Sequence, residues 1–390
     1  MSRDKTLEFF SIFYETCQAV LSSGSLPEIL QQLVEKTAKG LEVKGSTLRL
    51  INQRDNRLEL VASWGLSQEY LAKGPLVADR SIPETLEGKT IFIHDAFSDP
   101  RIQYRDALRA EGLCSILSVP VMAHSGAIGV LRLFTAEPRE FTAEEIEFAS
   151  ALAEMGGLAI ANARLFEETG IELESLWKEL GIVLPHKAPK QEQRLRWFSI
   201  KPVESAKSLE FFRALHEITR EVLSTRDSGK VMRLITGRVL TLMQVKACAL
   251  RLVNETTGEL ELLTSSGLSE TYLQKGPLHA DKSVRETLEG VPVLIEDAGH
   301  DPRIQYPEAM TREGIASLLS LPIVAQHRVI GLLRLYTAEP RHFSQDEVAF
   351  LTALGEIAGI AIMDARLYEA SNYDLNFWRA TLSYIKKQPS

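Results

Sequence analysis

Two sets of residues carry groups able to do chemistry, and each set occurs twice. The hexapeptide Asp-Pro-Arg-Ile-Gln-Tyr stands at 99–104 and again at 301–306. Arg101 and Arg303 present guanidinium forks suited to a bidentate anion, and Tyr104 and Tyr306 could close over it. The competing reading is structural: Asp caps a helix, Pro starts it, Arg pairs with a nearby acid and Tyr packs. Capping accounts for the Asp and the Pro outright and gives that reading precedence. The second set is Arg49, Arg132, Arg251 and Arg334. Alternation along a strand puts Thr47, Arg49 and Ile51 on one face and Leu48 and Leu50 on the other. It likewise joins Val130, Arg132 and Phe134 against Leu131 and Leu133. Guanidiniums inside a sheet are costly unless a carboxylate or a bound anion compensates. An internal ion pair with Glu59 or Glu261 is the more economical assignment, and bidentate binding of a small organic or inorganic anion is the sharper one.

The elements that must position these groups are organised by duplication. A shift of 202 residues aligns Phe9-Phe10 with Phe211-Phe212 and Lys73-Gly74-Pro75-Leu76 with Lys275 to Leu278, without a gap until after the last long helix. Between Ser63 and Tyr104, 27 of 42 positions are identical to the second copy, and the period is too long for a solenoid, so the repeated unit is a whole domain. The division expected is a first domain at 1–172, a helical and loop linker at 173–205 and a second domain with a C-terminal helix at 206–390. The linker is basic, with prolines at 185, 189 and 202, and reads as a solvated connector. Trp177, Trp197 and Trp378 are expected to pack onto the domains.

Along one copy, residues 6–22 predict an amphipathic helix, and a second helix begins near Pro27 and ends near Gly40. Strands follow at Thr47–Asn52 and Leu58–Trp64 as a hairpin, then an irregular stretch, then a strand at Thr90–His94. Asp99-Pro100 reads as N-cap and N1 of a short helix ending near Gly112. Cys114–Met122 is a strand in which Pro120 marks an edge or a bulge. Val130–Thr135 leads into a long helix opened by a capping box, Thr142 with Glu145 and Ser344 with Glu347. A stripe of Ile146, Ala149, Ala153, Gly156, Ile160 and Ala163, with Val348, Leu351, Gly355, Ala358, Ile362 and Ala365 in the second copy, suits close packing. Short turns between neighbouring strands require an antiparallel sheet, so the class is α+β. The first and last helices are expected on one face, and the irregular stretch over the other, where a cavity would form.

Bulk properties exclude several functions. A net charge of −8 over 390 residues argues against a nucleic-acid surface. Cys17, Cys114 and Cys248 have no metal or disulfide spacing. The N-terminus has no signal-peptide core, and no apolar run approaches the ~18 residues of a membrane span, so a cytoplasmic protein without membrane contact is expected. Neither G-x-S-x-G nor H-E-x-x-H occurs, so no catalytic residue and no metal ligand set is assigned.

The strand pair CSILSVPVMAHSGAIGVLRLF at 114–134, its copy ASLLSLPIVAQHRVIGLLRLY at 316–336, the capped long helix and the DPRIQY stretches resemble a tandem of GAF domains, the small-molecule-binding modules of signalling proteins. The resemblance covers both copies almost whole. It implies a six-stranded antiparallel sheet that brings the arginine-bearing strands together, terminal helices forming a dimer interface, and a pocket under the short helices. Cyclic-nucleotide members carry an Asn-Lys…Phe…Asp-Glu signature, but Asn52 is followed by Gln53 and Asn254 by Glu255. Bilin-binding members use a cysteine often followed by histidine, whereas Cys114 precedes Ser115, is replaced by Ala316 in the second copy, and reads as a buried strand cysteine. The cofactor is therefore left unknown.

Candidate pocket residues are Arg49, Trp64, Tyr70, His94, Asp95, Arg101, Tyr104 and Arg132 in the first copy. In the second they are Arg251, Tyr272, Glu296, Asp297, Arg303, Tyr306 and Arg334. The copies differ at this wall, where Trp64 becomes Ser266 and His94 becomes Glu296. The function expected is a non-enzymatic sensor or adaptor that binds a small, anionic ligand, forms a homodimer through its terminal helices and relays to a signalling partner. The alternatives are a structural dimer with side-chain-filled pockets and a small-molecule enzyme.

Overall fold

The computed structural model describes residues 3–21, 25–52, 54–169, 207–254, 256–280, 285–325 and 328–385. The linker at 173–205, with Trp177 and Trp197, lies outside the described residues, as does the side chain of Trp378. The described chain divides into two compact units. Of the described residues, the first holds those up to Ala161 and those at 207–224; the second holds 162–169 and those from Thr225 on.

The first unit contains α1 (Arg3–Leu21), α2 (Leu26–Gly40), β1 (Gly45–Asn52), β2 (Arg57–Trp64), α3 (Gln68–Leu71), β3 (Leu76–Val77), α4 (Ala78–Ser81), α5 (Pro83–Leu86), β4 (Ile91–Ile93), α6 (Arg105–Glu111), β5 (Ser115–Ala123), β6 (Gly126–Thr135) and most of α7 (Ala143–Thr169). Helix α8 (Ser208–Ser224) also belongs to this unit. The second unit contains α9 (Ser228–Met243), β7 (Ala247–Asn254), β8 (Glu259–Ser266), α10 (Glu270–Leu273), α11 (Arg285–Leu288), β9 (Val293–Ile295), α12 (Pro307–Glu313), β10 (Ser317–Ala325), β11 (Arg328–Thr337) and α13 (Gln345–Ile385). Both sheets are antiparallel throughout, ordered β3-β2-β1-β6-β5-β4 and β8-β7-β11-β10-β9. Six strands stand in the first sheet and five in the second, whose counterpart of β3 is reduced to a single bridge, Glu259 to His279.

One face of the first sheet is covered by α2 and α7. The sequence reading placed the first helix there; instead α1 stacks outside α2, with Phe9 on Phe148 of α7 at 4.0 Å. Helix α8, the repeat counterpart of α1, packs with the first unit through Phe211 on Phe10 and Phe212 on Phe13. The repeat alone assigned that helix to the second domain. Both capping boxes form: the Glu145 N–H donates to Thr142 Oγ1 at 3.2 Å and the Thr142 N–H to Glu145 at 3.0 Å, with the same pair at Ser344 and Glu347. Thr142→Ala should therefore cost about 1 kcal/mol, read as a lower midpoint in urea.

Two local expectations need correction, and a third, the bulge expected at Pro120, is met one residue on. Helix α6 begins at Arg105, because the Asp99 carboxylate accepts the Arg101 N–H rather than capping a helix. Pro120 lies on an inner strand, and its missing N–H is tolerated because β4 pairs only with residues 116–118; a bulge follows at Val121/Met122. Gln345–Arg366 of α13 is long and apolar enough to cross a membrane by length and composition. Single charged residues inside it hid this from a search for unbroken apolar runs. In the fold 94% of its apolar window is buried, as a core helix on β10 would be.

Candidate site: a donor-lined hollow in each domain

Strand register builds the site. In the first sheet Thr47 pairs with Arg132 and Arg49 with Val130, so the two arginines are diagonal neighbours on one face, about 7–8 Å apart at their backbones. Ser118 pairs with Arg132 on the same face. The second sheet repeats this with Ala249 opposite Arg334, Arg251 opposite Leu332 and Ser320 opposite Arg334. This face is roofed by α3, α4 and α5, and the arginines are buried at 5% (Arg49), 5% (Arg132), 6% (Arg251) and 1% (Arg334) exposure. Two apolar clusters lie on the same side of the sheet as the arginine pair: Leu58, Leu76, Ile82 and Val130 in one, Ile93, Ile116 and Phe134 in the other.

The ion pair favoured on economy does not form. Glu59 accepts a hydrogen bond from Asn52 at 2.6 Å, and Glu261 from Asn254 at 2.6 Å. Arg49 Nη1 donates to the Leu58 carbonyl at 3.1 Å, Arg251 Nη1 to the Leu260 carbonyl at 2.9 Å, and Arg132 Nη2 to the Ser81 carbonyl and hydroxyl at 2.6 and 2.8 Å. None of these three guanidiniums meets a carboxylate among the described residues. Arg49 Nη2, Arg132 Nε and Arg251 Nε are buried without hydrogen-bond partners among the described residues, as are the hydroxyls of Thr85, Thr287 and Ser320. Buried donors left unpaired each cost on the order of 1–3 kcal/mol, and two of them, Arg49 with Arg251 and Thr85 with Thr287, recur at matching positions of both copies.

Two further groups complete each hollow. The Tyr70 ring packs edge-on against Phe134 and Tyr272 against Tyr336, both buried. Burial pushes the Tyr70 phenol up to about 12, against the pull of Arg132 and Arg49. Lys73 Nζ sits 3.4 Å above the Tyr70 ring and Lys275 Nζ 3.7 Å above Tyr272. Burial, followed by the nearby arginines, drives both lysines down to about 7, and burial takes Arg132 down to about 10. Each lysine thus binds its proton more weakly in the fold than in the unfolded chain. Between about pH 7 and 10 the unfolded state holds protons that the native state lacks, so this contribution raises stability with pH. Urea unfolding across that window should show the rise, and Lys73→Met with Lys275→Met should flatten it. In the second domain the lysine opens into a cavity of about 980 Å³ lined by Lys246, Tyr272, Lys275, Tyr306, Arg312 and Glu313.

The other candidate residues lie elsewhere. Arg101 is held by both Asp99 oxygens at 2.9 and 2.6 Å and by Glu84 at 3.0 Å; Arg303 is held in the same way by Asp301 and Glu286. DPRIQY is therefore a clamp. Gln103 brackets the Val77 peptide, and the Tyr104 and Tyr306 hydroxyls donate to the carbonyls of Pro75 and Pro277 at 2.9 Å. Those tyrosines lean on Gly74 and Gly276, which adopt φ of 117° and 116° and leave no room for a Cβ. Trp64 lies beside Lys39 of α2, on the face away from Arg49. The cause is a bulge at Val61: Arg49 pairs with Leu60 but Leu48 with Ala62, which reverses the alternation beyond it. His94, Asp95, Glu296 and Asp297 are exposed at the sheet margin. Glu296 pairs with His342, and Asp297 with His300. Cys114 precedes β5 and is only partly buried. Lys73, Ser81 and Thr85 were missed by sequence reasoning, although the verbatim KGPL repeat pointed to the first. A separate groove of about 890 Å³ in the first unit, between α7, α8 and β5, holds Glu147, Glu154, Arg213 and His216, which pair with one another.

Residues 23–161 and 225–363 each match the family described as the GAF domain. Among curated proteins, the chain is 23% identical over 310 residues to the dual 3',5'-cyclic-AMP and -GMP phosphodiesterase 11A of Takifugu rubripes, which covers 72% of this chain and 30% of that protein. It is 26% identical over 187 residues to the circadian input-output histidine kinase CikA of Thermosynechococcus vestitus, covering 44% of this chain and 25% of the kinase. The chain thus spans less than a third of the length of these relatives. Among solved structures, the GAF domain from a phosphoenolpyruvate-protein phosphotransferase of Coxiella burnetii is 21% identical, with a TM-score of 0.38, covering 43% of this chain and 99% of that one.

Proposed function

Because the chain belongs to the GAF domain family and carries two such domains in tandem, we propose that it is a non-enzymatic cytoplasmic sensor that binds a small anionic ligand in the hollow of each domain. GAF domains occur in sensory signalling proteins, and relatives of this chain include a phosphodiesterase and a histidine kinase. The observation that carries the anionic reading is the meeting of Arg49 and Arg132, with Lys73 above Tyr70, around buried donors that lack hydrogen-bond partners among the described residues. A purely structural hollow would gain from apolar side chains at these positions, since unpaired buried cations destabilise the fold. Ligand contact at the roof would bias the packing of the short helices on the sheet, and terminal helices of a homodimer would carry that bias to a partner protein. Native mass spectrometry of the purified chain tests the ligand directly. A small acid retained under gentle ionisation and lost on unfolding supports the reading. A mass equal to that of the polypeptide, unaltered by millimolar sulfate, nitrate or succinate, would refute it.

A further inference from the structure

The lysine of the repeated KGPL stretch stands apart from the arginines in its chemistry. An arginine is charged at every accessible pH, whereas a lysine surrounded by arginines is not. Lys73 Nζ caps the Tyr70 ring at 3.4 Å and donates to the Tyr70 carbonyl at 3.2 Å; Lys275 does the same at Tyr272, at 3.7 and 3.1 Å. The groups facing Lys73 are Arg49 on β1, Arg132 on β6, Tyr70 on α3 and Glu111 on α6. Those acting on Lys275 are Arg251, Arg334, Tyr272 and Glu313; the cavity into which Lys275 opens is lined by Tyr272, Glu313, Lys246 and Arg312, with Arg251 and Arg334 behind it in the sheet. The one carboxylate in each set is already engaged: Glu111 accepts the Ser67 N–H and hydroxyl, and Glu313 those of Ser269. The hydroxyls of Ser81, Thr85 and Ser118 belong to the same sheet face and roof, and Glu84 of the roof is held by Arg101.

From this placement we infer that each hollow takes up a small, acceptor-only oxyanion together with one proton, the proton residing on Lys73 or Lys275. The inference rests on the anion-binding reading above and adds its regulation: the tandem would report anion concentration weighted by acidity near neutral pH. Without an anion, burial disfavours the ammonium most and the two guanidiniums repel it further, so both lysines fall to about 7. A bound anion reverses the local field and restores the ammonium, so binding and protonation are linked. The same proton gives the oxyanion a third charged contact beside Arg49 and Arg132. The ring beneath the ammonium holds it in place by cation–π attraction.

Isothermal titration of the full chain with sulfate and nitrate, which do not ionise between about pH 5 and 9, and with succinate above about pH 7, where it stays ionised, tests this when run in buffers of different ionisation enthalpy. Uptake should approach one proton per bound anion near pH 8 and decline toward zero near pH 5.5. The association constant should fall by up to about tenfold per pH unit above pH 7. Lys73→Arg with Lys275→Arg, a charged head that does not titrate, should retain binding and remove the pH dependence. Lys73→Met with Lys275→Met should bind more weakly at pH 6 and also lose it. Binding by the native chain without proton uptake, or pH dependence that survives the arginine variant, overturns the inference while leaving the anion site standing. Absence of binding by all three anions at every pH overturns both.

Discussion

Arg132→Met should leave the unliganded protein as stable as the native chain, or more stable by about 1–3 kcal/mol, while abolishing the response of the first domain to small anions. Most substitutions of fully buried side chains destabilise, so the expected sign is itself diagnostic. Arg132 is 5% exposed and lies on the same side of the sheet as the apolar clusters that hold Leu58, Ile82, Val130, Ile116 and Phe134. Its Nε has no hydrogen-bond partner among the described residues, and its remaining bonds go to Ser81. Methionine fills a similar volume without a charge and adapts to irregular space. The loss of the Ser81 contacts offsets part of the gain. Urea unfolding gives the stability change, and thermal shifts with sulfate, nitrate and succinate give the binding change. Adding Arg334→Met should extend the loss to the second domain. A destabilisation of several kcal/mol with anion responses intact would mean that the guanidinium is a structural strut.

Gly157→Ala should be among the most damaging single substitutions in the chain. A Cβ at that position would lie 1.9 Å from the Met122 carbonyl oxygen, and one at Gly359 would lie 2.0 Å from that of Val324. Both obstacles are backbone atoms of the central sheet, so relief requires the whole helix to move off the strand. Overpacking of this kind costs about 3 kcal/mol or more, and moving α7 would also loosen Leu152 and Leu158, which are fully buried. Calorimetry should show a fall in the first-domain transition, and a residual loss below about 1 kcal/mol would show that helix and sheet are less closely packed than this.

These two positions show what the sequence makes legible. The stripe on the long helix announced close packing, and Gly355 on it does lie against the Pro322 carbonyl; in the first copy, however, the nearest approach to the sheet is at Gly157, one residue beyond Gly156, and in the second at Gly359, one turn beyond Gly355. Pattern identifies a face; the rotation of a helix on its sheet is set by tertiary contacts. Alternation correctly placed Arg49 and Arg132 on one side of adjacent strands, because a period of 2 is rigid wherever the register is regular. It failed for Trp64, because one extra residue at Val61 inverts the strand beyond it, and no residue type there marks a bulge. The Asp99-Pro100 pair had the composition of a helix start, but the Asp99 carboxylate was claimed by Arg101, a local ion pair that capping rules do not weigh. Helix α8 was assigned by repeat symmetry. Its aromatic pair Phe211-Phe212 can pack equally well on any apolar groove, and the fold places it against Phe10 and Phe13. Lys73 escaped because nothing in its neighbours along the chain reveals two arginines arriving from distant strands.

Anion binding requires buried guanidiniums that meet on one sheet face with donors to spare, as Arg49 and Arg132 do. Diffraction at the selenium edge from crystals soaked in selenate reads it most directly. The prediction is an anomalous peak within hydrogen-bond reach of Arg49 and Arg132, and a second between Arg251 and Arg334. Density showing both hollows filled by the chain's own side chains, with selenium only at the protein surface, would contradict it.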